Sequence, residues 1–507
     1  MTFQQLLQGA EVLSQSGNPS VSGLEYDSRR VKPGDVFVAM RGESSDGNKF
    51  IERAIAAGAA AVVTDSSAEI PRDGVAWAQV PHGRRALARL SANFYKRPAE
   101  RLAITGITGT NGKSTTAFLL EALLAAAGRK CALIGTIEYH IAGRVLPAPH
   151  TTPEALELNR MLAEALGDGA TETVMEASSH ALAQQRVFGI PFDVAIFTNL
   201  TRDHLDYHHT MEEYFASKKI LFEGIGTDAP RVAVLNLDDA CGLKLAEFSR
   251  KKGSQVLTYG FAKGDFHAEN VRITSQGTRF DLITPAETVP LFSPLIGKVN
   301  VYNILAAAGA ACVRKCKPAA IAAGVESLRR VPGRFERVDC GQPFTVAVDY
   351  AHTDDALRNL TALAREFVTQ AGQKGRVITL FGCGGDRDRA KRPLMGEAAG
   401  RGSDLAVLTS DNPRSEDPLA IINDALVGLQ RSGAKYLVEA DRRAAIARAI
   451  SEAGPGDIVL IAGKGHEKVQ LTREGSIPFD DVNVAEQVLL EAGYDCQAAK
   501  ARAGSER

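Results

Sequence analysis

Ala103-Ile104-Thr105-Gly106-Ile107-Thr108-Gly109-Thr110-Asn111-Gly112-Lys113-Ser114-Thr115-Thr116 is the stretch that decides how this chain is read. An apolar run of β character enters a glycine-rich turn. Lys113-Ser114-Thr115-Thr116 then opens the helical pattern Ala117-Phe118-Leu119-Leu120-Glu121-Ala122-Leu123-Leu124. Strand, loop and helix N-terminus follow one another as they do where a phosphate is cradled. Glycines let backbone N–H groups converge on an anion, and the helix end adds unpaired donors and positive dipole. Lys113 reaches the β- and γ-phosphates from there, and the Ser114 hydroxyl is placed to ligate Mg²⁺. The strict spacing G-x-x-x-x-G-K-[ST] is not met: Ile107 stands at the first glycine position, and glycines fall at 106, 109 and 112. A surface turn ahead of a helix would explain the glycines but not the Lys-Ser pair. The stretch reads as an ATP site.

Composition bounds the rest. A chain of 507 residues suits about three domains of ~150 residues, each able to bury a core. With 59 basic and 60 acidic residues the net charge is −1, so no basic field favours nucleic acid or a membrane surface. The start, Met1-Thr2-Phe3-Gln4-Gln5, lacks a basic segment followed by an apolar run, and no apolar stretch reaches the ~20 residues that span a bilayer. The expectation is no signal peptide and no membrane insertion. The seven cysteines are scattered without a C-x-x-C pair, and are expected to be reduced packing residues.

Outward from the loop, the chain divides at two seams, one near Tyr95-Lys96-Arg97-Pro98 and one at Val331-Pro332-Gly333-Arg334. Before the first, short apolar runs at 35–40 and 59–64 flank a helical pattern at 50–57. Between the seams, apolar runs at 131–134, 173–176, 194–197 and 231–235 alternate with helical patterns, which predicts a mostly parallel sheet. After the second, runs at 344–348, 377–381, 405–409 and 457–462 repeat the alternation and predict a second doubly wound unit. The expectation is an α/β protein of three domains, 1–98, 99–332 and 333–496, with a flexible tail at 497–507.

Two strand ends beside the loop carry chemistry. The run at 173–176 ends in Glu176-Ala177-Ser178-Ser179-His180, a carboxylate where ligands bind in parallel sheets, and Mg²⁺ favours carboxylate oxygen. The run at 194–197 leads into Thr198-Asn199-Leu200-Thr201-Arg202-Asp203-His204-Leu205-Asp206, too dense in ionisable groups for a passive loop. His204 could ligate metal or orient phosphate.

These motifs, in order with Gly297-Lys298-Val299-Asn300-Val301-Tyr302-Asn303, Pro332-Gly333-Arg334-Phe335-Glu336, Asp349-Tyr350-Ala351-His352 and Gly463-Lys464-Gly465-His466-Glu467, resemble the Mur ligases over essentially the whole chain. Those are ATP-dependent amide-forming enzymes of peptidoglycan precursor synthesis. The likeness is to the type that adds the third residue to UDP-N-acetylmuramoyl-L-alanyl-D-glutamate, and the family's altered phosphate loop accounts for Ile107. The resemblance implies an N-terminal UDP-binding domain, a central P-loop ATPase domain and a Rossmann-like C-terminal domain for the incoming amino acid. It implies ATP and Mg²⁺ as cofactors, a bacterial cytoplasmic setting and a monomer.

Carried over motif by motif, Gly109, Thr110, Asn111, Gly112, Lys113, Ser114 and Thr115 would hold ATP with Asn303, Arg334 and Asp349. Tyr26, Ser28, Glu43, Ser44 and Ser45 would contact the uridine diphosphate. Thr151, Thr152, Ser178, Gln184 and Arg186 would hold the muramoyl peptide; His150 stands where the family often has Asn. Lys218, in Tyr214-Phe215-Ala216-Ser217-Lys218, matches the lysine these enzymes carboxylate, and Ser114, Glu176, His204 and the modified Lys218 would make up the metal site. Lys113, Glu176, His204 and Lys218 are the implied catalytic set.

The added amino acid is read from Asp411-Asn412-Pro413-Arg414. Locally it is an Asn-Pro turn starting a helix. Arg414 offers a guanidinium fork, which matches a carboxylate and so a substrate with an additional acid group. In the family this motif goes with addition of meso-diaminopimelate, whose far end carries that carboxylate, whereas L-lysine offers an ammonium. Arg387, Gly463 and Glu467 would complete that site, with Glu467 accepting from the distal ammonium. The rival readings are a lysine-adding Mur ligase, a folylpolyglutamate-synthetase-like ligase, and a P-loop ATPase switch without ligation.

Overall fold

The computed structural model describes residues 1–42, 45–67, 74–274, 276–370 and 375–497. The expected tail, from 498 on, lies outside the described residues. Three stacked α/β units follow the chain, each built on its own sheet.

The first sheet runs Ser14–Ser16, Ala76–Gln79, Ala61–Thr64, Asp35–Ala39, Gly23–Glu25 in spatial order, parallel except for its first pair. The helix Gly83–Phe94 covers one face with Ala86, Leu87 and Leu90, apolar positions spaced three and four apart.

The central sheet has eight strands in the order Gln255–Tyr259, Val232–Asn236, Phe192–Phe197, Ala103–Thr108, Glu172–Glu176, Cys131–Ile134, Glu138–Ile141, Arg144–Pro147. The first six are parallel, and the last two form an antiparallel hairpin at the edge. Buried apolar residues lie on both faces, as a parallel sheet sandwiched by helices requires. Ala103–Thr108 sits between Glu172–Glu176 and Phe192–Phe197, where the chain stops adding strands on one side and starts on the other. Ligands bind outside the carboxyl ends of strands at such a switch point. The phosphate loop, Glu176 and the segment after Phe197 all emerge there.

The sequence pattern missed a three-stranded antiparallel sheet, His267–Thr274, Gly277–Ile283 and Thr288–Ser293, packed beside the helix Lys298–Val313. The last unit orders Glu336–Val338, Thr345–Asp349, Ile458–Ala462, Val377–Cys383, Leu405–Ser410, Tyr436–Val438, parallel after its antiparallel first pair. Arg442 is buried across its end, donating to both oxygens of Asp481 at 2.8 and 2.6 Å and to the Ser410 and Ala462 carbonyls. One expectation fails: Cys340 and Cys496 form a disulfide, and the other five cysteines are free. The pairing was hidden by a separation of 156 residues, which the helix Asp481–Glu491 folds back across the edge strand Glu336–Val338.

Candidate active site

The phosphate loop is shaped by contacts only glycine permits. Gly109 stands at φ 145°, and a Cβ there would lie 1.8 Å from Thr198 Oγ1. Gly112, at φ 84°, would set a Cβ 2.4 Å from Asn303 Oδ1. The loop is therefore pressed against the strand end at Thr198 and the helix carrying Asn303. Thr198 Oγ1 donates to the Asn111 carbonyl at 2.7 Å, and the Asn111 N–H donates to Asn199 Oδ1 at 2.9 Å. Lys113 Nζ curls over the loop to the Gly109 and Thr110 carbonyls at 3.0 and 2.8 Å. Burial lowers its pKa, opposed by the nearby Glu176 carboxylate. Ser114 lies in the first turn of the helix Lys113–Ala126, and its Oγ accepts from Arg334 Nη2 at 3.3 Å.

Glu176 ends its strand fully buried, with both carboxylate oxygens accepting from Thr136, backbone and hydroxyl, at 2.8 Å. Thr152 Oγ1 donates to the Glu176 carbonyl at 2.8 Å and accepts from the Ser178 N–H at 3.1 Å. Thr151 Oγ1 lies 3.1 Å from Thr136 Oγ1, and Arg186 Nη1 donates to the Thr152 carbonyl at 3.0 Å. Arg186 also donates to Gln184 Oε1 at 2.7 and 3.0 Å. The structure thus gathers Thr151, Thr152, Ser178, Gln184 and Arg186 beside Glu176. His150 faces outward and contributes its carbonyl to the Tyr139 hydroxyl.

Lys218 lies on the helix Met211–Glu223, 1 % exposed, with Nζ donating to the Gly109 carbonyl at 2.8 Å and over the Tyr214 ring at 4.2 Å. Lys219, its neighbour, points outward to Glu223 at 2.8 Å. Burial, then the charge of Lys113, pushes the Lys218 ammonium well below its ordinary range. His204 is held in the left-handed region, φ 54°, and burial pushes its pKa down to about 3, so the imidazole is neutral. The His204 ring lies 4.9 Å from that of His180. Among the described residues no three His, Cys, Asp or Glu side chains converge as a metal cage.

Nucleotide candidates from further along join the loop. Thr116 Oγ1 donates to Asn303 Oδ1 at 3.4 Å. Arg334 stacks 4.7 Å over the Tyr350 ring, and Asp349, at the end of Thr345–Asp349, accepts from the Phe335 and Ala351 N–H groups at 2.7 and 2.8 Å.

The last unit offers a second cluster. Asn412 Nδ2 donates to Glu467 Oε2 at 2.7 Å, while buried Lys464 donates to Asn412 Oδ1, to Glu467 Oε2 and to the Val469 carbonyl at 3.0, 3.0 and 2.6 Å. Lys464 was missed in the sequence, although it sits inside the quoted Gly463–Glu467 motif. Gly463, at φ 116°, leaves room for Asp411, whose Oδ2 a Cβ would meet at 2.4 Å. Arg414, half-buried beside Pro413, donates to the Gly385 carbonyl at 2.7 Å and makes no ion pair among the described residues. Burial, then the charge of Arg387, lowers its pKa.

In the first unit, Tyr26 donates to Glu157 Oε2 of the central unit at 3.2 Å, and Ser28 is buried. Ser45 is exposed, its carbonyl taking the Gly42 N–H at 2.9 Å; Glu43 and Ser44 lie outside the described residues.

A switch-point phosphate loop, a buried carboxylate and a second α/β unit facing them define an ATP-using ligase architecture. Three family models match in sequence: "Mur ligase family, catalytic domain" over residues 20–95, "Mur ligase middle domain" over 107–311 and "Mur ligase, glutamate ligase domain" over 333–465. The chain belongs to the Mur ligase family. It is 55 % identical to a UDP-N-acetylmuramoyl-L-alanyl-D-glutamate–2,6-diaminopimelate ligase of Solibacter usitatus, covering 94 % of each chain. It is 46 % identical to one of Geobacter metallireducens, covering 91 % of this chain and 92 % of that one. A solved structure of a ligase of the same description superposes with TM-score 0.67 at 34 % identity, over 97 % of this chain and 99 % of that one.

Proposed function

We propose that this chain joins meso-diaminopimelate to the γ-carboxylate of the D-glutamyl residue of UDP-N-acetylmuramoyl-L-alanyl-D-glutamate, breaking ATP to ADP and phosphate. The supporting relatives carry that activity in their descriptions and match nearly end to end. A carboxylate is a poor electrophile, so it first attacks the γ-phosphorus of ATP and becomes an acyl phosphate as ADP leaves. The amine of diaminopimelate then adds to the acyl carbon, and the tetrahedral adduct expels phosphate as the amide forms.

Such phosphoryl transfer needs positioning and charge neutralisation more than covalent help. Lys113 and the loop N–H groups would hold the β- and γ-phosphates, with Asn303, Arg334 and Asp349 around the nucleotide. Thr151, Thr152, Ser178 and Arg186 would hold the muramoyl peptide beside Glu176, and Tyr26, Ser28 and the 43–45 segment the uridine diphosphate. The donor chemistry fits Mg²⁺, which takes one or two carboxylates and keeps its other positions for water and phosphate. Ser114, Glu176, neutral His204 and a modified Lys218 would hold it, and when bound it would neutralise the charge developing on the transferred phosphoryl group. Burial supports the modification, since a lysine driven to its neutral amine adds CO₂: the N–C bond forms, a proton leaves and a carbamate anion remains. Residues 1–98, 99–332 and 333–496 are the working divisions of this reading, with a monomeric protein in a bacterial cytoplasm.

Arg414 carries the choice of amino acid. Its guanidinium stands beside Arg387 and makes no ion pair among the described residues, the carboxylates of Asp411, Glu467 and Asp386 acting on it only through space, and this pair of cations is suited to a carboxylate. Glu467, already shared by Lys464 and Asn412 through Oε2, has its other oxygen for an ammonium. The test is phosphate release with the UDP-dipeptide against meso-diaminopimelate, L-lysine, L-ornithine and D-alanyl-D-alanine. Release is expected with diaminopimelate and not with the dipeptide substrate alone. Equal rates with lysine would remove the specificity, and release without any acceptor would favour a switch ATPase.

A further inference from the structure

The segment after Val377–Cys383 meets the central unit with alternating charge. Asp388 follows Arg387, and its Oδ2 accepts from Arg202 Nη2 at 3.2 Å. Three residues on, Lys391 Nζ lies 3.6 Å from Asp203 Oδ1. Arg202 and Asp203 are consecutive, so a plus–minus pair on the central unit meets a minus and a plus from the last unit, each beside its opposite. A shift of one position would set like charges together. Asp203 and Lys391 are buried, 5 % and 8 % exposed, so water screens their attraction weakly. Asp203 also faces His352 of the last unit, 3.6 Å from Oδ2, and His204 at 3.3 Å.

The other end of the segment is tied just as firmly. Arg392, fully buried, donates to Glu416 at 2.7 and 3.0 Å, to Asp424 at 2.9 Å and to the Gly384 carbonyl at 3.2 Å. Glu416 accepts the Asp386 N–H, and Ser415 donates to Asp386 Oδ1 at 2.7 Å. Adjacent residues Lys391 and Arg392 therefore grip opposite things: the strand end bearing His204, and the loops bearing Arg387 and Arg414.

We propose that Arg202–Asp388 and Asp203–Lys391 form a clasp between the central and last units, through which order in the amino-acid pocket is passed to closure over the nucleotide. Its members are positioning residues, and the proposal rests on the ligase reading above. A filled pocket fixes the 384–387 and 411–416 loops; Arg392 carries that order into the segment, and Asp388 and Lys391 seat on Arg202 and Asp203. Closure is completed only when the acceptor amine is in place, which keeps ATP from being spent on water.

The test reverses the outer pair. Arg202→Glu, Asp388→Arg and the double reversal are assayed by phosphate release at graded diaminopimelate, and by small-angle scattering of the full chain with ADP. Each single variant is expected to lose about 10-fold or more in kcat and raise KM for diaminopimelate, and the reversal to recover to within about 3-fold of the parent, the signature of a direct pair in a double-mutant cycle. KM for the UDP-dipeptide should stay within about 2-fold in all, because additivity holds for sites without shared partners. Lys391→Met should follow the single variants. Single variants with parental kcat, or a reversal no better than the worse single variant, would overturn the clasp. If the parent couples no acceptor, the ligase reading fails first and scattering decides alone. A larger radius of gyration in the single variants, restored in the reversal, supports the clasp; one radius for all four proteins removes it.

Discussion

Arg414 is held in the left-handed region, φ 54°, where a side chain other than glycine is strained. Its N–H donates to the Leu471 carbonyl at 2.9 Å and its Nη1 to Gly385 at 2.7 Å, so both ends are tied to the last unit. Strain kept at a ligand site is a sign that direction of the side chain matters. Lysine brings an ammonium for Glu467 but no second carboxylate, so it would leave the Arg414 and Arg387 guanidinium groups without their acid partner. Mispairing a buried charge costs about 2–5 kcal/mol, or about 30-fold to several thousand-fold in discrimination. Arg414→Gln is expected to lose most of the preference for diaminopimelate over lysine while ATP affinity stays near the parent's. The ratio of kcat/KM for the two amino acids checks this; an unchanged ratio would assign the carboxylate to another group. Single residues were unevenly legible from sequence. Lys113 and Arg414 stood out because their chemistry is unusual in its local setting, whereas Asp203 and Lys391 meet across 187 intervening positions that no local pattern links.

At the scale of elements, the loop from Thr108 to the helix Lys113–Ala126 has no slack. A backbone at φ 145° is open to glycine and costs other residues about 1–3 kcal/mol, before the 1.8 Å approach to Thr198 Oγ1 is counted. Gly109→Ala should therefore displace the Asn111 carbonyl from Thr198 and lower ATP turnover by about 10-fold or more, with a small loss in Tm. Turnover equal to the parent's, with intact secondary structure by circular dichroism, would show that the loop's shape is not needed. Buried parallel strands were the legible elements: Cys131–Ile134 matches its apolar run residue for residue, because burial on both faces leaves a continuous hydrophobic signal. The three-stranded sheet between His267 and Ser293 was not legible. Its first strand shows mostly partial and full exposure, so alternation is broken by Glu269 and Asn270 where the register shifts. The hairpin Val469–Thr472 with Gly475–Pro478 failed for the same reason, its second strand being exposed throughout and its first no more than partly buried.

Across the whole molecule, polar side chains link the three units, beside an apolar contact of Ala155 and Leu156 with the core of the first. Arg84 of the first donates to both oxygens of Glu154 at 2.9 and 3.0 Å, Asn111 of the second donates to Asp355 of the third at 3.1 Å, and His466 of the third lies against the Thr136 backbone. His466 makes this assembly sensitive to acid. Burial, then the Arg334 guanidinium, pushes its pKa from the ordinary 6.5 down to about 3; Lys468 and His352 also face it, and the Tyr350 ring lies 4.9 Å away. The unfolded chain binds a proton at this histidine below pH 6.5, and the folded one only near pH 3. The unfolded state holds more protons in that window, so stability rises with pH there. The contribution is complete above pH 6.5 and is lost progressively as pH falls toward 3. His204, also pushed down to about 3 by burial, acts in the same direction and is common to parent and variant. His466→Phe cannot take up that proton, so between about pH 7.5 and pH 4.5 it should lose about 2–3 kcal/mol less unfolding free energy than the parent. Urea unfolding at the two pH values measures the difference, with the variant's stability at the higher pH as its own reference. Equal losses in both proteins would mean that His466 already reaches water in the folded state, and that the contact with Thr136 does not shield it.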